Sequence, residues 1–325
     1  MSDKITRITG IGSALVDLLI NETDGFLAAL GKVKGGMTYV EHHEQEAILE
    51  QTAQKPIVVP GGAACNTIVG VARLGGKARF IGKRGTDIGG DQYGEALERF
   101  NVEPMFENSA TPTGRVLSVI TPDTQRSMFT NLGASVEMEP AKVVPELFRD
   151  TAIAVIEGYL LFNPDLMMAS LKSAKAAGAK IALDLASFEV VEASRPILND
   201  IISEYVDILI ANEDEAKAYT GFEDEPAAIE ALSKNVALAV LKVGKRGSHV
   251  AADGRVVRID PQLGAEAVDT TGAGDLWAAG FLYGIAHGYS LERSGAIGSA
   301  CGYEVCQVVG AHIPDEGWDR IKQLL

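Results

Sequence analysis

Short apolar runs alternate with longer amphipathic stretches along most of the chain, the pattern of βαβ units around a largely parallel sheet. Residues 5–11, 78–81, 152–156, 180–183, 208–210 and 238–243 are predicted as strands, and 66–73, 166–177 and 213–219 as helices. Gly178, directly after Ala176-Ala177, reads as a helix C-cap. Two stretches break the rhythm, 15–40 and 114–132. In the second, residues 116–120 and 127–132 are joined by Thr121-Pro122-Asp123-Thr124, which predicts a hairpin. The chain is therefore expected to fold as an α/β core of residues 1–14, 41–112 and 136–325, with a small β lid of 15–40 and 113–135. No fixed-period repeat or Pro/Ser linker divides it, and residues 291–325 read as a helix-rich tail.

Length and composition narrow the function classes. At 325 residues the chain can bury a large core, and 46% hydrophobic with 22% charged residues is ordinary for a folded globular protein. Lys plus Arg number 29 against 44 Asp plus Glu, a net charge of −15, which argues against a broad nucleic-acid or anionic-membrane surface. Met1-Ser2-Asp3-Lys4-Ile5 has no apolar leader and no apolar run reaches the roughly 20 residues of a membrane span, so a cytoplasmic location is expected. Cys65, Cys301 and Cys306 are too few and too unevenly spaced for a disulfide framework or a thiolate metal cage. They read as small buried side chains.

The chemistry concentrates in Asp269-Thr270-Thr271-Gly272-Ala273-Gly274-Asp275, which runs directly into the apolar Leu276-Trp277-Ala278-Ala279-Gly280-Phe281. A glycine-rich turn opening a helix presents free N–H groups at the positive end of the helix dipole, which suits a phosphoryl group. A carboxylate at that edge weakens anion binding unless it has another task, such as accepting a proton from an attacking hydroxyl. A capped turn is the plainer alternative for Asp275. Rival glycine motifs fail. Lys32, Lys77, Lys83 and Lys245 each follow a glycine but precede Val, Ala, Arg and Arg, so no phosphate loop of the GxxxxGK[ST] type is present. The dinucleotide fingerprint breaks at Leu15 after Gly10-Ile11-Gly12, and at Trp277 after Gly272-Ala273-Gly274.

Both this segment and Pro60-Gly61-Gly62-Ala63-Ala64-Cys65-Asn66-Thr67, continuing to Leu74-Gly75, resemble the two signatures of the PfkB family of carbohydrate and nucleoside kinases, with the ribokinase-like fold. The likeness covers nearly the whole chain. It implies Asp275 as the catalytic base, with the N–H groups of Gly272, Ala273 and Gly274 as the anion hole. It implies Gly61, Gly62, Asn66 and Asp17 as acceptor-binding residues; a carboxylate accepts from two neighbouring hydroxyls, which suits a vicinal diol. A solvated strand-end charge is the alternative for Asp17 and a helix cap for Asn66.

Asn212-Glu213-Asp214-Glu215 is similar to the family's Asn-x-x-Glu motif at a strand end, and implies Asn212 and Glu215 beside Mg²⁺, bound through water next to ATP phosphates. Acidic residues in a first helical turn are equally common for dipole reasons. Lys242-Val243-Gly244-Lys245-Arg246-Gly247-Ser248 resembles the segment lying against the nucleotide, so Lys242, Gly244, Gly247 and Thr270 are expected on that side. Val243 stands where the family often has Thr, and Lys245 and Arg246 read as solvated turn residues. The resemblance also raises a monovalent cation such as K⁺ near Asp269, Thr271, Gly310 and Ala311.

For the acceptor, the 60–66 segment, Arg126-Ser127-Met128-Phe129-Thr130-Asn131-Leu132, Gly158-Tyr159-Leu160-Leu161 and the 207–213 segment look most like adenosine kinase, with Arg126 expected at the substrate. Met37, Tyr39, Met128 and Phe129 are apolar candidates to enclose a purine or simply to pack the lid. Two departures stand out: Ser13 replaces a frequent asparagine, and Leu160 replaces an aromatic. The expected partners are ATP and a small nucleoside or sugar, with the chain a monomer or homodimer. Adenosine leads, a sugar such as ribose, fructose or 2-keto-3-deoxygluconate follows, and a non-catalytic ligand sensor is the reading from another class.

Overall fold

The computed structural model describes residues 5–31, 34–123 and 125–325; Lys32 and Val33 of the predicted lid, and Thr124 of its turn, lie outside the described residues. Among those described, nine strands form one sheet in the order Arg255–Ile259, Ser248–Ala252, Leu238–Lys242, Ile208–Asn212, Lys180–Asp184, Thr151–Glu157, Arg7–Ile11, Ala78–Gly85 and Val102–Ser109. The last seven are mutually parallel, and the first two add an antiparallel hairpin at one edge. The six strands expected in the core all fall within this sheet. The central ones read as unbroken apolar runs because helices cover both faces, as the fully buried Ile208 to Ala211 illustrate.

Three strands of the sheet escaped the pattern. Val102–Ser109 carries Pro104, which has no N–H to give a ladder and is accommodated because this strand is the sheet edge. Ser248–Ala252 and Arg255–Ile259 are joined by Asp253-Gly254, both at positive φ (51° and 74°), the Asp-Gly signal of a tight hairpin.

The helices follow their sequence cues. Pro164–Ala176 opens with proline in its first turn under an Asn163 cap, and Gly178 sits just beyond its end at φ 80°. Glu213–Thr220 and Ala63–Arg73 occupy the other predicted spans. In the tail, Leu291–Val305 packs along Ala273–His287, and Asp315–Lys322 follows.

A second sheet holds five described strands in the order Gly36–Tyr39, Arg126–Asn131, Gly114–Ile120, Leu15–Asn21 and Ile57–Gly61. It contains the predicted hairpin, and it also takes in Ile57–Gly61, from the interval assigned to the core. One face is apolar: Val16, Leu18, Ile20, Leu117, Val119 and Phe129 pack with Leu27 and Ile48 of the helices Asp24–Ala29 and His42–Leu49. Buried Gln45 bridges this layer, donating through Nε2 to the carbonyls of Arg115 (2.9 Å) and Phe129 (2.8 Å). By register, the opposite face carries Asp17 and Arg126.

Phe129 is therefore lid packing rather than a purine contact, being 1% exposed, whereas Met37 and Tyr39 are 48% and 61% exposed. Phe129→Ala is expected to lower unfolding stability by about 3–5 kcal/mol, the scale for emptying a buried aromatic site. Urea unfolding checks this; a loss below about 1 kcal/mol would mean that the second sheet does not depend on this core.

Candidate active site

Because neighbouring strands are parallel, their C-terminal ends share one edge of the sheet, where an open α/β fold binds ligands. Four successive strands end there in Glu157, Asp184, Asn212 and Lys242, with Glu157 opposite Asp184 and Asn212 opposite Lys242 in register. These residues, with Thr67, Tyr159, Glu215, Gly274 and Asp275, line a cavity of about 240 Å³.

Asp275 enters from the helix Ala273–His287. Its cap, Gly272, lies at φ 71°, a left-handed turn that a glycine adopts without strain. The Asn66 side chain donates from Nδ2 to Asp275 Oδ2 at 2.9 Å, and Thr67 Oγ1 donates to the Asp275 carbonyl at 3.1 Å. Their two helices approach closely because Gly70 has no side chain: a Cβ there would lie 2.6 Å from that of Ala279. Burial, first, and the Asp184 charge push the Asp275 carboxyl up to about 6, opposed by the Asn66 hydrogen bond and Lys242. Of the three expected anion-hole amides, that of Ala273 donates to the Thr270 carbonyl (3.2 Å), while those of Gly272 and Gly274 have no partner among the described residues.

Asp17 lies near enough to Asp275 for the two charges to interact. Burial lifts Asp17 to about 7; Arg126 opposes that rise and Asp275 adds to it. Gly61 ends its strand against the Asp17 carboxyl, where a Cβ would sit 2.5 Å away, and Gly62 takes φ 97° with the Ser13 carbonyl 2.2 Å from a Cβ position. Asp17 thus neighbours Gly61, Arg126 and Asp275, Asn66 bonds Asp275, and Asp17, Gly61, Gly62, Asn66 and Arg126 do not line the cavity.

On the cavity side, Lys242 Nζ donates to Asp184 Oδ2 at 2.9 Å and packs 3.0 Å from where Gly274 would carry a Cβ. Glu215 and Asn212 cap one another: Asn212 donates to Glu215 from its backbone (2.8 Å) and its Nδ2 (2.6 Å), and the Glu215 N–H donates to Asn212 Oδ1 (2.9 Å). The dipole-cap alternative is thus realised, and the same carboxyl also faces the cavity. Burial and then the Asp184 charge lift Glu215 to about 7. Gly244, exposed, and Gly247, at φ 98°, shape the turn between two strands beyond the cavity wall, and Thr270 is likewise outside it. Val243 is buried in the core, consistent with losing a hydroxyl there. Arg246 pairs with Glu213 and Glu225 at the surface. Asp269 accepts from the N–H and hydroxyl of Thr271 (3.0 and 2.7 Å) and from the Gly310 N–H (2.8 Å), tying two loops together.

Two acidic cavity residues escaped the sequence reading: Glu157 and Asp184 each end an apolar strand, the same signal that singled out Asn212, while Tyr159, from the segment 158–161, also lines the cavity. Glu157 is 3% exposed and burial lifts it to about 7.

A helix N-terminus with free amides, a carboxyl with raised proton affinity beside it, and a polar cavity along the strand ends define a phosphotransferase class of site. The chain belongs to the pfkB family of carbohydrate kinases, whose family model matches residues 27–317. It is similar to a nucleoside kinase of Methanocaldococcus jannaschii, 28% identical over 82% of this chain and 85% of that protein. Among solved structures it resembles an adenosine kinase from Sinorhizobium meliloti (31% identity, TM-score 0.87) and a probable sugar kinase protein from Rhizobium etli CFN 42 (29%, 0.88), each covering 98% of this chain and 99% of the other. The fold is ribokinase-like, and the enzyme is a kinase acting on hydroxyl groups. Family membership implies ATP as phosphoryl donor. Among the described residues no helix is long and apolar enough to cross a membrane.

The raised carboxyls make a pH prediction. A carboxyl that holds its proton to about 6 when folded, against 3.8 ordinarily, makes the folded state bind more protons over that window, so stability falls as pH rises through it. Asp275→Asn removes that burden. The ligand-free variant is expected to melt above the wild type at pH 7.5, with the gain shrinking as pH is lowered toward 4. A lower melting temperature at pH 7.5 would contradict the electrostatic account.

Proposed function

We propose that this kinase transfers the γ-phosphoryl of ATP to a primary hydroxyl of a nucleoside, with adenosine the first choice of acceptor. The observation that carries the reading is the Asn66–Asp275 hydrogen bond, which ties the carboxyl at the opening of the Ala273–His287 helix, next to the free amides of Gly272 and Gly274, to the helix that follows Gly61-Gly62. In this reading Asp275 takes the proton from the acceptor hydroxyl as its oxygen attacks the γ-phosphorus. The two amides stabilise charge on the equatorial oxygens, and ADP leaves. Asp17 and Asn66 hold the acceptor, with Gly61 and Gly62 giving it room, and Arg126 offsets charge from the second sheet. Closure of that sheet excludes water, which would otherwise take the phosphoryl group.

The residues also suit a divalent cation. Glu215 and Asp184 crowd two carboxyls around a single lysine, and burial first, then the Asp184 charge, raises the proton affinity of Glu215. Among the described residues no group of three or more His, Cys, Asp or Glu could form a protein cage. Asn212, Glu215 and Asp184 would therefore hold Mg²⁺ with water and phosphate oxygens completing its shell, and it would supply charge neutralisation of the phosphates.

The nucleoside choice draws on 31% identity to an adenosine kinase over nearly the whole chain. A sugar acceptor is the second reading, favoured by the buried Leu160 in place of an aromatic and by 26% identity to 5-dehydro-2-deoxygluconokinase of Bacillus subtilis over 94% of this chain. A panel of adenosine, other nucleosides, ribose, fructose and 2-keto-3-deoxygluconate with Mg-ATP separates them. Adenosine 5′-phosphate is the expected product. A sugar phosphate instead selects the second reading, and no phosphorylated product from any acceptor rejects both in favour of a sensor.

With the accepted substrate, Asp275→Asn is expected to lower kcat by about 10² or more while both ligands still bind. Turnover within a fewfold of wild type would remove Asp275 as the base. Asp17→Ala is expected to raise the acceptor KM with little change in that for ATP.

A further inference from the structure

The cavity wall holds Glu157, Asp184, Glu215 and Asp275, and among the described residues Lys242 is the single cation in it. The Lys242 Nζ lies 3.0 Å from where a Cβ on Gly274 would sit, against the opening turn of Ala273–His287, which already carries the positive end of a helix dipole. Like charge does not gather there unaided; the Asp184 carboxylate holds it, Oδ2 accepting from Nζ at 2.9 Å. The lysine side chain is 13% exposed, and Asp184 is its one hydrogen-bond partner among the described residues. An ammonium has further hydrogens to donate, and here they stand beside the unpartnered Gly274 amide. Asp184 is anchored independently of the lysine. Its other oxygen, Oδ1, accepts from the Ala186 N–H at 3.1 Å, and Ala186 takes φ 65°, a left-handed conformation uncommon for a residue with a Cβ. Departure of the lysine would therefore leave the carboxylate in place with Oδ2 free.

We infer that Lys242 is a further catalytic residue, a cation that exchanges Asp184 for the transferred phosphoryl group when the donor binds and so leaves Asp184 to the divalent cation. This rests on the phosphotransfer reading above and adds a residue to it. The ammonium adjoins the Gly274 amide, so both can donate to the same phosphoryl oxygens. No bond forms or breaks at Lys242, which keeps its protons throughout. Its part is electrostatic, acting on oxygens that carry the charge as the acceptor oxygen attacks phosphorus and the bond to ADP breaks. In the ligand-free protein the same ammonium neutralises part of a wall that otherwise carries only carboxyls, and it opposes binding of a divalent cation before the nucleotide arrives. Asn212 and Glu215, which cap one another, need no such exchange.

The test is Lys242→Met, which removes the charge and keeps most of the length. Calorimetry measures binding of ADP and of a non-hydrolysable β,γ-imido analogue of ATP, each with Mg²⁺, so neither acceptor nor turnover is needed. Affinity for the analogue is expected to fall about tenfold or more and that for ADP by no more than about twofold, the scale of one charge-assisted hydrogen bond made to the γ-phosphoryl group alone. Binding of Mn²⁺ to the nucleotide-free protein, followed by electron paramagnetic resonance, is expected to strengthen about fivefold or more once the ammonium no longer opposes it. An equal loss for the two nucleotides, or a Mn²⁺ affinity that does not rise, overturns the inference. Should Lys242→Met not fold, Asp184→Asn decides. With the ammonium freed and its charge kept, metal-free binding of the analogue is expected to tighten relative to ADP, and an unchanged or lower ratio is the contrary result. These binding measurements stand whether or not an acceptor is phosphorylated, so failure of the acceptor panel and failure of this inference are read separately.

Discussion

A neutral amide, not a cation, holds the key carboxyl. Asn66 reaches Asp275 across 209 residues of sequence and orients it with a single hydrogen bond. A lysine in its place would fix the same geometry but hold the carboxyl ionised and weak as a base. The nearby lysine, Lys242, bonds to Asp184 instead, and Asp275 keeps a proton affinity close to what a hydroxyl-activating group needs near neutral pH. Orientation and basicity are thus supplied by different partners.

The sheet makes that separation possible. Parallel strands bring Glu157, Asp184, Asn212 and Lys242 to one edge, while two glycine-led helices point their N-termini at it. The second sheet adds Asp17 and Arg126 from above. The result crowds carboxyls: Asp17, Glu157, Glu215 and Asp275 all hold protons more tightly than free side chains, burial being the largest cause in each. Such crowding lowers the stability of the ligand-free protein near neutral pH, because each carboxyl must ionise away from water.

The fold was legible because buried parallel strands leave unbroken apolar runs, and because glycines mark the turns that the site requires. What the pattern missed has physical reasons. Val102–Ser109 is an edge strand interrupted by Pro104, and the hairpin after Leu238–Lys242 is half exposed, so neither shows a continuous apolar run. Ile57–Gly61 reads equally well in either sheet, since pairing partners are not written in local sequence. In the site, Gly272 to Asp275, Asn66 and Asp17 were found from motifs, and they do converge. Ala273 differs in that its amide is already used in a turn. Glu157 and Asp184 were passed over because a single acid at the end of an apolar run looks like any strand terminus. Only the register of neighbouring strands shows that both ends open into one cavity.

In the proposed mechanism one carboxyl, positioned by Asn66, meets an acceptor hydroxyl directly beneath the γ-phosphoryl group. The most direct test is a crystal structure with acceptor and a non-hydrolysable ATP analogue bound together. The account predicts the acceptor's primary hydroxyl about 2.6–3.2 Å from an Asp275 carboxylate oxygen, with the γ-phosphoryl over the Gly272 and Gly274 amides. A hydroxyl out of reach of Asp275, or phosphates bound away from that helix N-terminus, would contradict it.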